Sequence, residues 1–331
     1  MSFRCGRLIF PRGGRSGRLA LERAAAEAGV DFRMVAKIID GKAVAAAERE
    51  DCKRRVVRLR QAGGRAPGLA VIMIGDNPAS AVYVRNKIRA CQDVGIRSEQ
   101  LFYPRMVTQS EICDKIRECG RDPSIDGILV QLPLPPSFDL EEVLGAIDAE
   151  KDVDGFHLYN VGGLVIGNTV FPPCTPYGVM RLLEHEGIEV SGRNAVVVGA
   201  SNIVGKPMAL MLMQREATVS VCHAKTRDLG EFTRLADLLV VAAGHPSLIS
   251  ASMVKPGAVV IDVGINRLPD GRLVGDCDFE GVRAQASYLT PVPGGVGPMT
   301  VTMLLVNTIK SAERALGLVP GAKAAEPMPA L

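Results

Sequence analysis

The chain has 331 residues and no tryptophan, and aromatic side chains make up only 4% of it, so its core must be aliphatic. It has no C-x-x-C pair, and its four His sit at no zinc-binding spacing. Eight Cys scattered over such a length read as buried thiols in a reducing compartment, not as a disulfide frame. No apolar run reaches membrane-spanning length, and a net charge of +3 is too small to argue for nucleic acid. No local Ser/His/Asp or Cys/His pairing marks a nucleophile. These absences point to a metal-free cytoplasmic protein with neither a membrane nor a nucleic-acid partner.

What is present is ordinary globular material. Hydrophobic residues make up 47% of the chain, and the length suggests about two domains. Residues 1–33 stand apart, with seven Arg against three acids and little apolar periodicity. They lack the apolar core of a secretory signal and read as a disordered extension or an overlong start ahead of Met34. Residues 317–331, rich in Pro, Gly and Ala, read as a flexible tail.

Between these ends apolar runs alternate with helical stretches. Asp40-Gly41 opens a helix to Ala62. Gly68–Ile74 reads as a strand, followed by the turn Gly75-Asp-Asn-Pro78 and a helix starting near the proline. A strand is expected near Ile96–Tyr103. Thr108-x-x-Glu111 is a capping box for a helix ending near Gly120. Ile125–Gln131 reads as a strand buried on both faces, and Asp139 begins another helix. Residues 151–176 read as a long Gly- and Pro-rich loop at a domain junction. Beyond it come a helix at 176–187, strands at 194–198, 218–222, 238–242 and 258–263, and a long helix at 299–316. This alternation implies an α/β fold with parallel sheets. The expected division is an N-terminal α/β catalytic and substrate domain (34–155) and a Rossmann-like domain (156–298). A cleft lies between them, and the last helix packs back on the first domain.

Three features carry chemistry. Tyr83 and Lys87 are one helical turn apart on one face, placing a ring that can stack beside an amine that can move protons. The spacing alone also fits a half-buried Tyr above a solvated Lys. Gly199-x-Ser201-x-x-x-Gly205 lies between a buried strand and a helix, where dinucleotide phosphates bind, although its spacing is neither G-x-G-x-x-G nor a P-loop. A tight turn without a ligand fits it too. The next strand ends in Cys222-His-Ala-Lys-Thr-Arg227, with no acid to hold the ribose hydroxyls of NAD. His223, Lys225 and Arg227 suit the extra phosphate of NADP, or form a solvated turn. Asp262 and His245 also fall at strand ends and read as structural.

Several ordered blocks resemble the bifunctional methylenetetrahydrofolate dehydrogenase/methenyltetrahydrofolate cyclohydrolase family. They are Pro78-Ala-Ser with Tyr83-Val-x-x-Lys87, Asp126-Gly-Ile-Leu-Val-Gln-Leu-Pro-Leu-Pro135 and Lys151-Asp-Val-Asp-Gly-Phe-His157. The others are Pro173-Cys-Thr-Pro176, Val198-Gly-Ala-Ser-Asn-Ile-Val-Gly-Lys-Pro207 and Thr290-Pro-Val-Pro-Gly-Gly-Val-Gly-Pro-Met-Thr300. The similarity runs from about Ala36 to Leu316.

The resemblance implies a two-step folate enzyme. An NADP-dependent oxidation takes 5,10-methylenetetrahydrofolate to 5,10-methenyltetrahydrofolate, and hydrolysis then gives 10-formyltetrahydrofolate. It implies Lys87 as the catalytic lysine, Tyr83 as the ring that stacks on the aminobenzoyl group, and Gln131 as the residue orienting Lys87. Asp154 corresponds to the carboxylate that binds the pterin. Gly199, Ala200, Ser201 and Ile265 fall where the family holds NADP, and Pro293, Gly294, Gly295 and Gly297 lie in the loop bordering the folate cleft. A homodimer is implied as well. Some members carry Arg where this chain has Ala200 and Ser where it has Ala224, so NADP preference here rests on Lys225, Arg227 and backbone. The alternatives are a member retaining only the dehydrogenase, or a non-catalytic nucleotide-binding protein.

Overall fold

The computed structural model describes residues 35–318; the expected extension at 1–33 and nearly all of the 317–331 tail lie outside them. In chain order the elements begin with β1 (Lys37–Ile38), α1 (Gly41–Gln61), β2 (Gly68–Ile74), α2 (Pro78–Val94), β3 (Arg97–Tyr103) and α3 (Gln109–Arg121). β4 (Gly127–Val130), α4 (Leu140–Gly145), α5 (Leu158–Val165) and α6 (Cys174–His185) follow. Next are β5 (Asn194–Val198), α7 (Gly205–Met213), β6 (Thr218–Cys222), α8 (Leu229–Thr233), β7 (Leu238–Val241) and β8 (Val259–Asp262). The chain ends in β9 (Asn266–Arg267), β10 (Leu273–Val274), α9 (Phe279–Arg283), β11 (Tyr288–Leu289) and α10 (Val296–Ala315).

Two parallel sheets result, ordered β3-β2-β4 and β1-β11-β8-β7-β5-β6, beside a small antiparallel β9–β10 ribbon. The expected parallel α/β architecture is therefore present. β2, central in its sheet, is buried along its whole length, whereas the outer strand β3 is mostly half-buried or exposed. In β2, Leu69, Val71 and Met73 face one core while Ala70, Ile72 and Ile74 face another; β5 and β7 divide in the same way. This two-residue period explains why these strands read as unbroken apolar runs.

One core extends through both sheets. It includes α1, α2, α6 and α7, and α10 packs against both α1 and α6. Thirteen α10 residues are buried, so the helix is a shared wall. Asp40 caps α1 by accepting from the backbone N–H of Lys42 and Ala43 at 3.0 and 3.1 Å. The Thr108–Glu111 capping box opens α3.

Three features depart from expectation. The junction segment 151–176 contains a helix, α5, and the first turn of α6. Strand β1 falls inside the expected 34–155 unit but pairs with β11 in the six-stranded sheet. α10 starts three residues earlier than its apolar pattern suggests, at Val296. Among the described residues, no helix is long and apolar enough to cross a membrane.

Candidate active site

Lys87 lies on the inner face of α2 and is only 7% exposed. Its Nζ donates to Gln131 Oε1 at 3.2 Å, and Gln131 Nε2 in turn donates to Leu132 O at 2.6 Å. Gln131 can reach Lys87 because β4 lies beside β2, and Gln131 N continues the ladder by donating to Ile72 O at 2.8 Å. The amide orientation follows: a side chain that accepts from an ammonium must direct its NH2 elsewhere.

The Asp152–His157 loop approaches the same place. Asp152, 1% exposed, accepts from the N–H groups of Gly155 and Phe156 (both 3.2 Å) and His157 (2.8 Å), and from Asn160 Nδ2 (2.9 Å). Burial pushes its carboxyl above the ordinary carboxylate value. All its bonds go to the loop it closes, so its work is structural. Asp154, half-buried, is the carboxylate the loop presents.

Burial raises the Cys174 thiol well above the usual range; Asp154 raises it further and Lys87 pulls it down. Its Sγ donates to Val153 O at 3.3 Å. Asn307 of α10 braces this corner from behind, its Nδ2 donating to Val153 O at 2.9 Å and Pro172 O at 3.1 Å. Asp152, Asn160 and Asn307 were not legible as site builders. The Asp-Val-Asp spacing alone could have hinted that the two acids divide structural and ligand-facing work.

Tyr83 sits one turn earlier on α2, 39% exposed. Its phenol is shifted up by partial burial, which nearby Arg267 opposes. It lines a cavity of about 750 Å³ that also touches Ile265, Pro293, Gly294, Gly295 and Gly297. Lys42, Arg49, Arg89 and Arg267 border this space against Asp93 and the hydrogen-bonded Asp262, giving it a cationic rim. Lys87, Gln131 and Asp154 do not line it. The catalytic candidates therefore form two neighbouring sets joined through α2.

Gly199, Ala200 and Ser201 follow β5, where the strand order runs to β6 on one side and β7 on the other. This is the crevice in which open α/β sheets collect ligands. Gly199 has φ +120°, and a Cβ there would lie 2.2 Å from Ala242 O, so only glycine fits. Ser201 Oγ accepts from the N–H groups of Val204 and Gly205 at 3.2 and 3.3 Å. His223, Lys225 and Arg227 are exposed beyond β6. Asp228 caps α8 and accepts from Glu231 N at 3.1 Å. Among the predicted cofactor residues, only Ile265 reaches the Tyr83 cavity.

Comparison with known proteins fits this arrangement. Residues 39–154 match the model of the tetrahydrofolate dehydrogenase/cyclohydrolase catalytic domain, and residues 173–316 match that family's NAD(P)-binding domain. A bifunctional protein FolD of Nitrosospira multiformis is 58% identical over 87% of this chain and 100% of its own. One of Bordetella petrii is 58% identical over 85% and 96%, respectively. The crystal structure of the FolD methylenetetrahydrofolate dehydrogenase/cyclohydrolase of Campylobacter jejuni superposes with a TM-score of 0.83 at 52% identity, covering 84% of this chain and 99% of that one. The Trypanosoma brucei enzyme, complexed with NADP cofactor and inhibitor, gives 0.82 at 40% identity over 85% and 98%. The chain belongs to the tetrahydrofolate dehydrogenase/cyclohydrolase family.

Proposed function

We propose that this chain oxidises 5,10-methylenetetrahydrofolate with NADP+ and hydrolyses the resulting 5,10-methenyltetrahydrofolate to 10-formyltetrahydrofolate, using Lys87, Gln131, Tyr83 and Asp154. The observation that carries this reading is the Lys87–Gln131 hydrogen bond, made from α2, the helix whose Tyr83 walls the cavity. Tyr83 offers a face for the aminobenzoyl ring, and Asp154 offers a carboxylate for the pterin's donors. The cationic rim suits the carboxylates that folates carry on their glutamate tail.

The residues present fit NADP. Residues 199–205 form a turn too tight for side chains at Gly199 and Gly205, ahead of a helix start that favours pyrophosphate. Lys225 and Arg227 supply cations for the additional phosphate. Ile265 offers an apolar contact. When bound, NADP+ supplies a hydride acceptor. The chain's part in oxidation is to hold substrate and cofactor together and exclude competing reactions.

In the hydrolytic step, water adds to the methenyl carbon, a proton is lost, and a ring C–N bond opens to leave the formyl group on N10. Lys87 accepts and returns the protons in this sequence, and Gln131 holds its amine in place. We further assign the folate side to residues 34–155 with α10 packed against them, and the cofactor side to 156–298. Seven unpaired, buried Cys support a cytoplasmic location. A homodimer is supported by β6, one of the two outer strands of its sheet, where Val221 is exposed, and by exposed Met213, Leu158 and Ile166.

The test is a spectrophotometric assay of the purified chain with methylenetetrahydrofolate and NADP+, followed by decay of the methenyl chromophore. Both activities are expected. In Asp154→Ala the folate KM should rise far more than the NADP+ KM; an equal rise in both would contradict the assignment.

A further inference from the structure

Asp276, between β10 and α9, is 0% exposed, and a carboxylate taken so far from water needs every oxygen satisfied. Its Oδ2 accepts from the N–H groups of Ala243 (2.7 Å) and Gly244 (2.9 Å), in the turn after β7. Its Oδ1 accepts from Asn266 Nδ2 at 2.8 Å, just past the turn that follows β8. Its own N–H is held by Asp262 Oδ1 at 2.9 Å. One side chain thus ties together the exits of two adjacent parallel strands, on the sheet edge where ligands collect.

The fit leaves no slack. A Cβ on Gly264 would lie 2.1 Å from Asp276 Oδ1, so residues 264–266 are pressed directly against the carboxylate. Ile265 lies between the glycine that touches Asp276 and the asparagine that bonds to it, and it faces the Tyr83 cavity. The partners of this carboxylate are Ala243 and Gly244, after β7, and Asn266, at the start of β9.

Resting on the NADP reading above, we infer that Asp276 and Asn266 form a positioning pair for cofactor binding. They set the spacing between residues 243–244 and Ile265 without touching the reacting atoms. A purely structural carboxylate would affect both activities alike. A positioning pair should affect the cofactor step and spare the water step, which uses no cofactor.

The test exchanges donor and acceptor. In Asp276→Asn the new amide can still accept from residues 243–244, and its NH2 then meets that of Asn266, which must turn its amide over to offer Oδ1. In Asn266→Asp two carboxylates face each other. In the double variant the hydrogen-bond pattern is restored with the partners reversed. Asn266→Asp should raise the NADP+ KM, and the NADPH Kd read by fluorescence titration, by roughly ten-fold or more, and Asp276→Asn by less, because Asn266 can turn its amide over. Hydrolysis of supplied methenyltetrahydrofolate should stay within about two-fold, and the double variant should recover most of the loss.

The inference is overturned if the double variant binds no better than the poorer single one, or if hydrolysis falls in step with oxidation. If either single variant fails to fold, Asn266→Ala at this half-buried position serves instead, and an unchanged NADPH Kd there refutes the pair. A wild-type chain that cannot use NADP+ sinks the functional reading along with this one. A wild-type chain that uses it, with variants of unaltered Kd, sinks this inference alone.

Discussion

Replacing Lys87 with Met separates chemistry from stability. Lys87 is 7% exposed, and its Nζ donates to Gln131 Oε1 at 3.2 Å. Losing a bond to a charged group costs about 1.5–3 kcal/mol. Two effects offset this. The methionine places no charge in a buried site, and the half-buried Gln131 keeps its second bond, to Leu132 O. The net change should be within about 1–2 kcal/mol, a few degrees in Tm. Removing a positioned proton-transfer group lowers a rate by about 10²–10⁴, equivalent to roughly 3–5 kcal/mol of barrier. The kinetic effect therefore exceeds the thermodynamic one. Decay of the methenyl absorbance measures the first and calorimetry the second. A Lys87→Met protein that hydrolyses within a few-fold of the wild-type rate refutes the role given to Lys87. A rate loss matched by a collapse in Tm would show that the lysine acts only on folding.

Other perturbations follow from the same structure. Burial lifts the Asp262 carboxyl from 3.8 to about 6, against the pull of the N–H groups of Asp276 and Cys277. A carboxyl raised in the folded state contributes stability that is full below pH 3.8 and lost as pH climbs through about 6. The stability of wild type over Asp262→Asn should therefore shrink by about 2 kcal/mol between pH 4 and 7, and a margin that widens with pH contradicts the shift. At Gly41 an added Cβ would lie 1.8 Å from Gly295 O, where α1 meets the start of α10. Gly41→Ala should displace the 293–297 loop, lowering Tm by several degrees and raising the folate KM; wild-type values for both would show that the contact yields freely. The seven Cys among the described residues are buried, and burial pushes Cys52 and Cys91 up to about 12. With Cys5 replaced by Ser, a thiol reagent at pH 8 should react slowly until denaturant is added, and a rapid stoichiometric burst would count against the burial.

Elements with strong local grammar were legible in the sequence. β2 and β5 are unbroken apolar runs because both of their faces are covered, and the Thr108 box states its own helix start. Two-residue strands carry no such pattern: nothing in Lys37-Ile38 or Tyr288-Leu289 distinguishes them from loop until the chain brings them together. α5 was hidden because Gly162 and Gly163 are poor helix formers, and its stability comes from packing and from the His157 cap. At the site, the helical spacing paired Tyr83 with Lys87, but only the fold shows that Tyr83 borders a cavity while Lys87 is buried and hydrogen-bonded to Gln131. Gln131 was reachable as a strand end. Asp276 and Asn307 were not, because backbone groups far away in sequence are among their partners.

The pairing of β1 with β11 also sets a timetable. Lys37 and Ile38 leave the ribosome roughly 250 residues before Tyr288 and Leu289, an interval of about 10–50 s at ordinary elongation rates. The six-stranded sheet thus receives β1, one of its two outer strands, long before residues 288–289 emerge to complete it. Until then β11 does not exist, α10 is missing from between α1 and α6, and the loop at 293–297 has no anchor. The nascent chain can assemble its three-stranded sheet early, yet must keep an apolar flank covered by other means while it waits. Loss of residues 288–315 would therefore damage both sheets' packing at once.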